Sequence, residues 1–164
     1  MINRLSPKKV SETIISLDTF LLLQADHGAF NDINLSIEPV AKARPRFGRG
    51  GRCYNSQTEL QDDLKWRFRS DWDRAPLRGP VECHMTFWIG LPATTPQKKI
   101  AGYVGSPCLK HIDCDNIFKF FSDAMNGIII NDDSQIWSMS AKKIWTTEPR
   151  TDITLRYIEQ SVYQ

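Results

Sequence analysis

The chain has 164 residues, 41% hydrophobic and 24% charged, so it fits one globular domain and can bury a core without disulfides or a structural metal. Its formal net charge of +2 is too small to indicate a nucleic-acid partner by itself. No run approaches the roughly 20 apolar residues of a membrane helix, and no signal-peptide pattern is present. The four cysteines form no paired framework, so we expect reduced thiols in a cytosolic protein with no membrane contact.

The first third of the chain predicts an extension, a strand and a basic loop. Residues 1–30 form an N-terminal extension with a short helix opened by Ser11, ahead of a main domain over residues 31–164. Residues 33–37 alternate apolar and polar side chains like a half-buried strand. Residues 41–54 follow as a loop rich in glycine, whose backbone can approach a nucleic-acid strand closely. Between residues 39 and 58 the cations, with no acid among them, are Lys42, Arg44, Arg46, Arg49 and Arg52.

The middle of the chain predicts a helix, a strand and a second basic loop. Leu60, Leu64, Phe68 and Trp72 recur every four residues, which indicates an amphipathic helix, and Ser56 is its expected N-cap. Residues 81–89 place five apolar side chains on one face and predict a strand at the centre of the sheet. Residues 91–112 contain no acid and read as a mobile basic loop with further DNA-binding candidates, which are Lys98, Lys99 and Lys110.

The last third predicts a helix over residues 116–126, stopped by Gly127, and strands over residues 135–145 and 152–158. We expect these two strands to be antiparallel neighbours. Strands separated by two helices favour a single-domain α+β fold, a two-layer sandwich with a mixed sheet and helices packed on one face.

Acids are concentrated where the chemistry is expected. Residues 113–133 carry five acids against one cation, Lys119. Asp113 and Asp115 are two residues apart at an extended helix entry, so their carboxylates can point to the same side. Burial of the apolar helix stripe would leave Lys119 near these acids, and the turn after Gly127 can bring Asp133 back to them. Three carboxylates and a lysine are therefore expected to converge.

Convergent carboxylates require a counter-charge. Two of them about 4 Å apart repel by roughly 4 kcal/mol at an effective dielectric of 20, and a helix N-terminus returns only about 0.3–1 kcal/mol. An all-oxygen cluster suits Mg²⁺, with Mn²⁺ as a substitute, and we assign Asp113, Asp115 and Asp133 as its ligands. Such a metal hydrolyses phosphodiesters, with Lys119 neutralising the developing charge. Secondary candidates are Asp132, Asn116 and Asp123.

Three alternatives stay open at this point. Single acids at helix entries and in Asp-Asp turns are commonly structural. The basic segment can be an ordinary solvated loop. Cys108, His111 and Cys114, with Cys53 or Cys83 as a fourth ligand, offer a zinc site, although they lack a paired Cys-x-x-Cys signature.

Three sequence blocks resemble the RusA family of Holliday-junction resolvases, found on bacterial chromosomes and in phages and prophages. The blocks are residues 38–46 (EPVAKARPR), residues 113–119 (DCDNIFK), and residues 123–127 (DAMNG) with 132–135 (DDSQ). The resemblance spans about residues 33–158. It implies that Asp113, Asp115 and Asp133 bind magnesium, that Lys119 is catalytic, and that the protein is a homodimer.

The sequence therefore predicts a Mg²⁺-dependent, structure-selective endodeoxyribonuclease that resolves four-way junctions by paired symmetric nicks in recombination and repair. Two active sites on one two-fold dimer permit such paired cuts. One alternative is a nuclease for other branched DNA, such as flaps or forks. The contrasting one is a non-catalytic nucleic-acid-binding protein with a structural aspartate cluster.

Overall fold

The computed structural model describes residues 28–43, 46–47, 53–54 and 57–158. The strands are β1 Gly28–Leu35, β2 Arg46–Phe47, β3 Cys53–Tyr54, β4 Val81–Gly90, β5 Ile136–Thr146 and β6 Arg150–Ile158. The helices in these ranges are α1 Thr58–Asp71, α2 Gln97–Tyr103 and α3 Cys114–Met125, and a 3-10 turn spans Asp133–Gln135. None of these helices is long and apolar enough to cross a bilayer. The predicted N-terminal helix lies outside the described residues.

Four of the strands form one mixed sheet in the order β1-β6-β4-β5. Strand β4 runs parallel to β5 and antiparallel to β6, which also pairs antiparallel with β1. The sequence predicted an α+β fold with a mixed sheet and with β4 at its centre, and both predictions are confirmed. The core side chains of β4 are all buried, and they are Val81, Cys83, Met85, Phe87 and Ile89.

The predicted pairing of the last two strands is wrong, because β4 lies between them. Residues 147–149 connect β5 to β6 across the end of β4. A Cβ added at Gly90, the last residue of β4, would lie 3.0 Å from Pro149 Cγ. The link therefore passes directly over Gly90. A span of two strand spacings, roughly 10 Å, is within reach of a few extended residues, so a short connection does not prove that two strands are neighbours.

The core lies between the sheet and helices α1 and α3. Phe121 of α3 stacks against Phe87 of β4, with ring centroids 5.9 Å apart. Leu64 and Phe68 of α1 are buried in the same cluster. The opposite face of the sheet carries polar pairs instead, such as Arg156 with Glu82 and Trp88 with Asp152. The sheet and helices α1 and α3 thus form two layers, with both helices on one face of the sheet.

Helix α1 differs from its prediction at the N-terminal end. Its N-cap residue is Gln57, not Ser56, which lies outside the described residues. Leu64, Phe68 and Trp72 are buried as expected, but Leu60 is 50% exposed. A strict four-residue repeat rotates by roughly 40° per step on a helix with 3.6 residues per turn. Over three steps that rotation carries Leu60 away from the core.

The first strand and both basic loops also differ from the prediction. Strand β1 starts at residue 28 and ends at residue 35, so its expected C-terminal end, Ile37, lies beyond the strand. Within the first basic loop, β2 and β3 form a short antiparallel ladder. Within the second, residues 97–103 form helix α2, which buries no side chain. Helix α2 has no buried face, and β2 and β3 are only two residues long, so none of these elements leaves an apolar periodicity in the sequence.

Candidate active site

Helix α3 packs on the core through one face, and its neighbouring face carries the candidate site residues. It begins at Cys114, two residues before the predicted start, and its N-cap residue is Asp113. The predicted apolar stripe is confirmed, and its members are all buried: Ile117, Phe120, Phe121 and Ala124. The neighbouring face carries Asp115, Phe118, Lys119 and Ser122, spaced i, i+3, i+4 and i+7, so these side chains lie along one side of the helix.

A tight return brings the chain back to this face. Gly127 has a φ of 72°, a left-handed conformation that favours glycine, and its N–H donates to Ile130 O at 2.7 Å. Ile129 and Ile130 are fully buried and anchor the turn. The predicted stop at Gly127 is confirmed, and the chain then reaches Asp133 beside α3.

The side chain of Gln135 holds the segment that carries Asp133. Its Oε1 accepts from the N–H of Asn131 at 2.7 Å and of Asp132 at 3.1 Å. Its Nε2 donates to Leu77 O at 3.1 Å and to Gly79 O at 2.8 Å. The sequence analysis assigned Gln135 no role. Its position three residues after an aspartate N-cap, the spacing of a capping box, is the signal that could have found it.

These elements enclose a cavity of about 290 Å³. Its lining residues are Asp115, Asn116, Phe118, Lys119, Ser122, Asp133, Ile136 and Met139. Polar groups of α3 and of the return thus face apolar side chains from the start of β5. The sequence analysis found the charged members but missed Phe118, Ser122, Ile136 and Met139. Phe118 and Ser122 could have been found by their helical spacing from Asp115.

Lys119 lies among the acids, as predicted. Its Nζ is 3.8 Å from Asp133 Oδ2 and 3.7 Å from Asp123 Oδ1. Asp123 also pairs with the ammonium group of Lys42. A chain of alternating charges therefore runs from Lys42 through Asp123 and Lys119 to Asp133. Lys119 remains 57% exposed, so it can still reach a ligand in the cavity.

Asp113 occupies an N-cap position without performing the usual capping function. Its carboxylate accepts no backbone N–H of α3, and instead accepts from the side-chain amide of Asn116 at 3.3 Å. It is exposed and is not part of the cavity wall. Among the described residues, no three Asp, Glu, His or Cys side chains are grouped closely enough to hold a metal ion. The expected convergence of three carboxylates is therefore not seen within the described part of one chain.

Asp132 has a structural role. Its carboxylate accepts from the N–H of Ser134 at 2.9 Å, and together with Gln135 it forms a capping box on the 3-10 turn. Hydrogen bonds from the side chain and the backbone of Ser134 lower the pKa of Asp132 below its ordinary value. Asp132, a secondary candidate for the active site, therefore uses its carboxylate to cap the 3-10 turn.

The predicted DNA-contacting cations fall into three groups. The first is Lys42, which is paired with Asp123. The second group is exposed in the second basic segment and consists of Lys98, Lys99 and Lys110. In the third, the side chains lie outside the described residues, and these are Arg44, Arg46, Arg49 and Arg52.

The described cysteines do not form the alternative zinc site. Cys108 is buried, His111 is exposed, and no metal-binding group includes them within the described ranges. Burial raises the pKa of the Cys83 thiol to about 12. Burial also raises the pKa of the Cys114 thiol, with Lys143 opposing and Asp115 adding to the shift. The side chain of Cys53 lies outside the described residues.

Comparison with known proteins now identifies the family. The sequence model of the RusA endodeoxyribonucleases matches residues 36–156, which contain the whole cavity and every proposed acid. The chain belongs to the RusA family. The match confirms the resemblance drawn from three short blocks. RusA proteins are endodeoxyribonucleases, so membership supports nuclease activity.

A curated relative is similar to this chain over nearly its own whole length. A protein of Bacillus subtilis (strain 168), described as uncharacterized protein YqaN, is 27% identical over 135 residues. The alignment covers 74% of this chain and 92% of the relative. The relative therefore shares most of the domain, and its description adds no activity.

Proposed function

We propose that this RusA-family chain is a Mg²⁺-dependent endodeoxyribonuclease that resolves four-way DNA junctions by paired nicks. The observation that carries the proposal is the cavity that Asp115, Lys119 and Asp133 line together, with Lys119 Nζ 3.8 Å from Asp133 Oδ2. An anionic wall with an exposed ammonium group suits a phosphodiester together with a divalent cation.

The chemical type of the available oxygen ligands suits a divalent cation. Asp115 and Asp133 offer carboxylate oxygens to the cavity, and the Asp113 carboxylate is not used for capping its helix. These are hard oxygen donors without a histidine, the set that Mg²⁺ and Mn²⁺ prefer. A bound cation would polarise the phosphodiester and lower the pKa of an attacking water.

The protein's own residues supply the remaining functions. Lys119 places positive charge where the phosphorane oxygens gain negative charge, and Asp123 and Asp133 hold it in that direction. Phe118 and Met139 add apolar side chains to the wall of the cavity. The cations of the two basic segments contact flanking phosphates and contribute most of the binding energy.

A homodimer completes this proposal. The outer edge of β5 pairs with residues 105–108 only along residues 143–145, among the described residues. Before that point, Trp137 and Met139 are 41% and 66% exposed beside the cavity. Large apolar side chains exposed beside the cavity form a surface on which a second copy can pack. Two-fold pairing would present two cavities to symmetry-related strands of one junction.

A panel of labelled DNAs tests both activity and substrate. Purified protein is incubated with a four-way junction, a flap, a fork and a nicked duplex, each with Mg²⁺ or with EDTA. The proposal predicts symmetric nicks in the junction that appear with Mg²⁺ and disappear with EDTA. Faster cutting of flaps or forks than of the junction would assign those structures as the substrate. Salt-sensitive binding without any product would favour a non-catalytic DNA-binding protein.

A further inference from the structure

The arginine-rich part of the chain lies between two described segments, residues 41–43 and Gln57. Residues 44–56, here called the basic hairpin, contain β2 and β3 and the cations Arg44, Arg46, Arg49 and Arg52. The described ladder of this hairpin has two pairs, Arg46 with Tyr54 and Phe47 with Cys53. A two-stranded ladder of this length is marginal in water. Its position on the protein therefore depends on what holds its ends.

Gln57, directly after the hairpin, is bonded to the segment directly before it. Its Oε1 accepts from the N–H of Ala43 at 2.5 Å, and its Nε2 donates to Ala41 O at 2.8 Å. A primary amide carries an acceptor and two donors, so it can take the place of a peptide group in a partner strand. Although Gln57 is the N-cap residue of α1, its side chain makes no capping bond. The Gln57 side chain instead joins the segment after the hairpin to residues 41–43 before it.

Helix α3 holds the same segment from the other side. The N–H of Lys42 donates to Asn116 O at 3.0 Å, and the ammonium group of Lys42 pairs with Asp123. In an extended chain the backbone groups of successive residues point in opposite directions. This explains why Ala41 and Ala43 face Gln57 while Lys42 faces α3.

Residues 41–43 thus connect the base of the basic hairpin to the wall of the cavity. Asn116 lines the cavity, and Asp123 contacts Lys119 within it. Without the amide of Gln57, the N–H of Ala43 and the carbonyl of Ala41 would lose these partners. Residues 41–43 would keep the contacts of Lys42 with α3. The cations of the basic hairpin would remain, but residues 41–43, which join the hairpin to α3, would be held less firmly.

We propose that Gln57 is a positioning residue that closes the base of the basic hairpin and sets which phosphodiester enters the cavity. The inference rests on the proposed nuclease function, since it assigns the hairpin to the strand that is cut. It predicts a separation of two measurable quantities. Affinity for DNA follows the number of cations. The rate and position of cutting follow how the Gln57 amide holds residues 41–43, an arrangement here called the clamp.

The experiment compares Gln57→Ala and Gln57→Glu with the wild type on a labelled four-way junction under single-turnover conditions. Glutamate keeps the acceptor for Ala43 and loses the donor to Ala41. The matched control is Asp63→Ala on α1, which removes only an exposed carboxylate paired with Arg67. The dissociation constant, its dependence on salt, the cleavage rate at saturating protein and the sites of cleavage are measured, and melting curves establish that each variant folds.

For Gln57→Ala we expect the salt dependence of binding to stay unchanged and the affinity to fall by less than about threefold, since no cation is removed. We expect the cleavage rate to fall at least about tenfold, because small misplacements of a substrate are costly, and nicks to spread to neighbouring phosphodiesters. Gln57→Glu should be intermediate, and Asp63→Ala should match the wild type. Cutting by Gln57→Ala at the wild-type rate and sites would overturn the inference.

Hydrogen exchange separates this inference from the nuclease proposal. In the wild type, the amides of Lys42 and Ala43 should be protected, and Gln57→Ala should remove protection from Ala43 first. Equal exchange at Ala43 in both proteins would overturn the clamp even if the nuclease proposal held. If the wild type cuts no DNA, the nuclease proposal fails, and with it the assignment of the clamp to strand positioning, whatever the exchange data show for the fold.

Discussion

Asp132 and Asp133 follow each other in the chain, yet their carboxylates have different partners. Asp132 accepts from Ser134 and caps a turn, whereas Asp133 lines the cavity 3.8 Å from the ammonium group of Lys119. Residue type cannot separate the two roles, since aspartate is common in both. Hydrogen-bond partners can, because a carboxylate already committed to backbone N–H groups has fewer lone pairs for a ligand.

The first prediction concerns Lys119. Replacing it with alanine removes the positive charge from the cavity and leaves the basic segments intact. We expect the single-turnover cleavage rate to fall by about 100- to 1,000-fold, as for other lost electrostatic stabilisers, with only a small loss of DNA affinity. The control is Lys65→Ala, whose ammonium group makes only a 4.0 Å contact with the exposed Asp62. Equal losses of rate in both variants would remove Lys119 from the chemistry.

At the scale of elements, helix α3 positions the site because its two sides have different surroundings. Phe120 and Phe121 are buried against the core, with their rings 5.7 Å apart, so the adjacent face must carry Asp115 and Lys119 toward the cavity. The return after the helix depends on the left-handed backbone at Gly127. The cavity is thus a consequence of how one helix is packed and how it ends.

The second prediction tests the end of this helix. Gly127→Ala should reduce the free energy of unfolding by about 1–2 kcal/mol, since a Cβ disfavours a φ of 72°. Gly102 is the matched control, because it lies inside α2 with no positive φ and nothing near its missing Cβ. Gly102→Ala should increase the free energy of unfolding by about 0.5–1 kcal/mol. Urea unfolding of both variants measures the difference, and two changes of the same sign would contradict the account.

The third prediction concerns strand β4 and alkaline pH. Burial raises the pKa of Cys83 from 9.0 to about 12, so above pH 9 the unfolded chain loses a proton that the folded chain keeps. The stability that the protonated thiol contributes is complete below pH 9 and is lost as the pH rises toward 12. By pH 10.5 the loss should be about 2 kcal/mol. Cys83→Val should show a smaller fall in unfolding free energy between pH 8 and 10.5, measured by urea unfolding; an equal fall would mean that other groups cause it.

At the scale of the whole molecule, the sequence predicted the elements that have a buried face. The strands at β4 and β6, the helix at α3 and the stop at Gly127 all follow from apolar periodicity and backbone preference. Helix α2 has no buried face and strands β2 and β3 have two residues each, so these elements carry no periodic signal and were taken as loops. The order of the strands was also beyond prediction, because the link over Gly90 is as short as a connection between neighbours.

Some residues of the candidate site could be predicted from local sequence, and others could not. Local spacing was sufficient to place Lys119 beside Asp133, and the motif blocks pointed to the RusA family. The apolar wall from Ile136 and Met139, the capping role of Asp132 and the clamp by Gln57 depend on contacts between distant segments. Asp113 was expected to join the other two carboxylates. In the described chain it lies at the helix entry instead, bonded to Asn116.

The most direct test of the central claim is cleavage of a four-way junction with Mg²⁺ by Asp115→Asn, Asp133→Asn and the control Asp132→Asn. Asparagine caps as well as aspartate does, so the control should cut within about twofold of the wild type. The two cavity variants should bind the junction but cut it about 1,000-fold more slowly, because each removes a carboxylate from the proposed metal site. Wild-type cutting by either cavity variant, or an equal loss in Asp132→Asn, would contradict the assignment of this cavity as the active site.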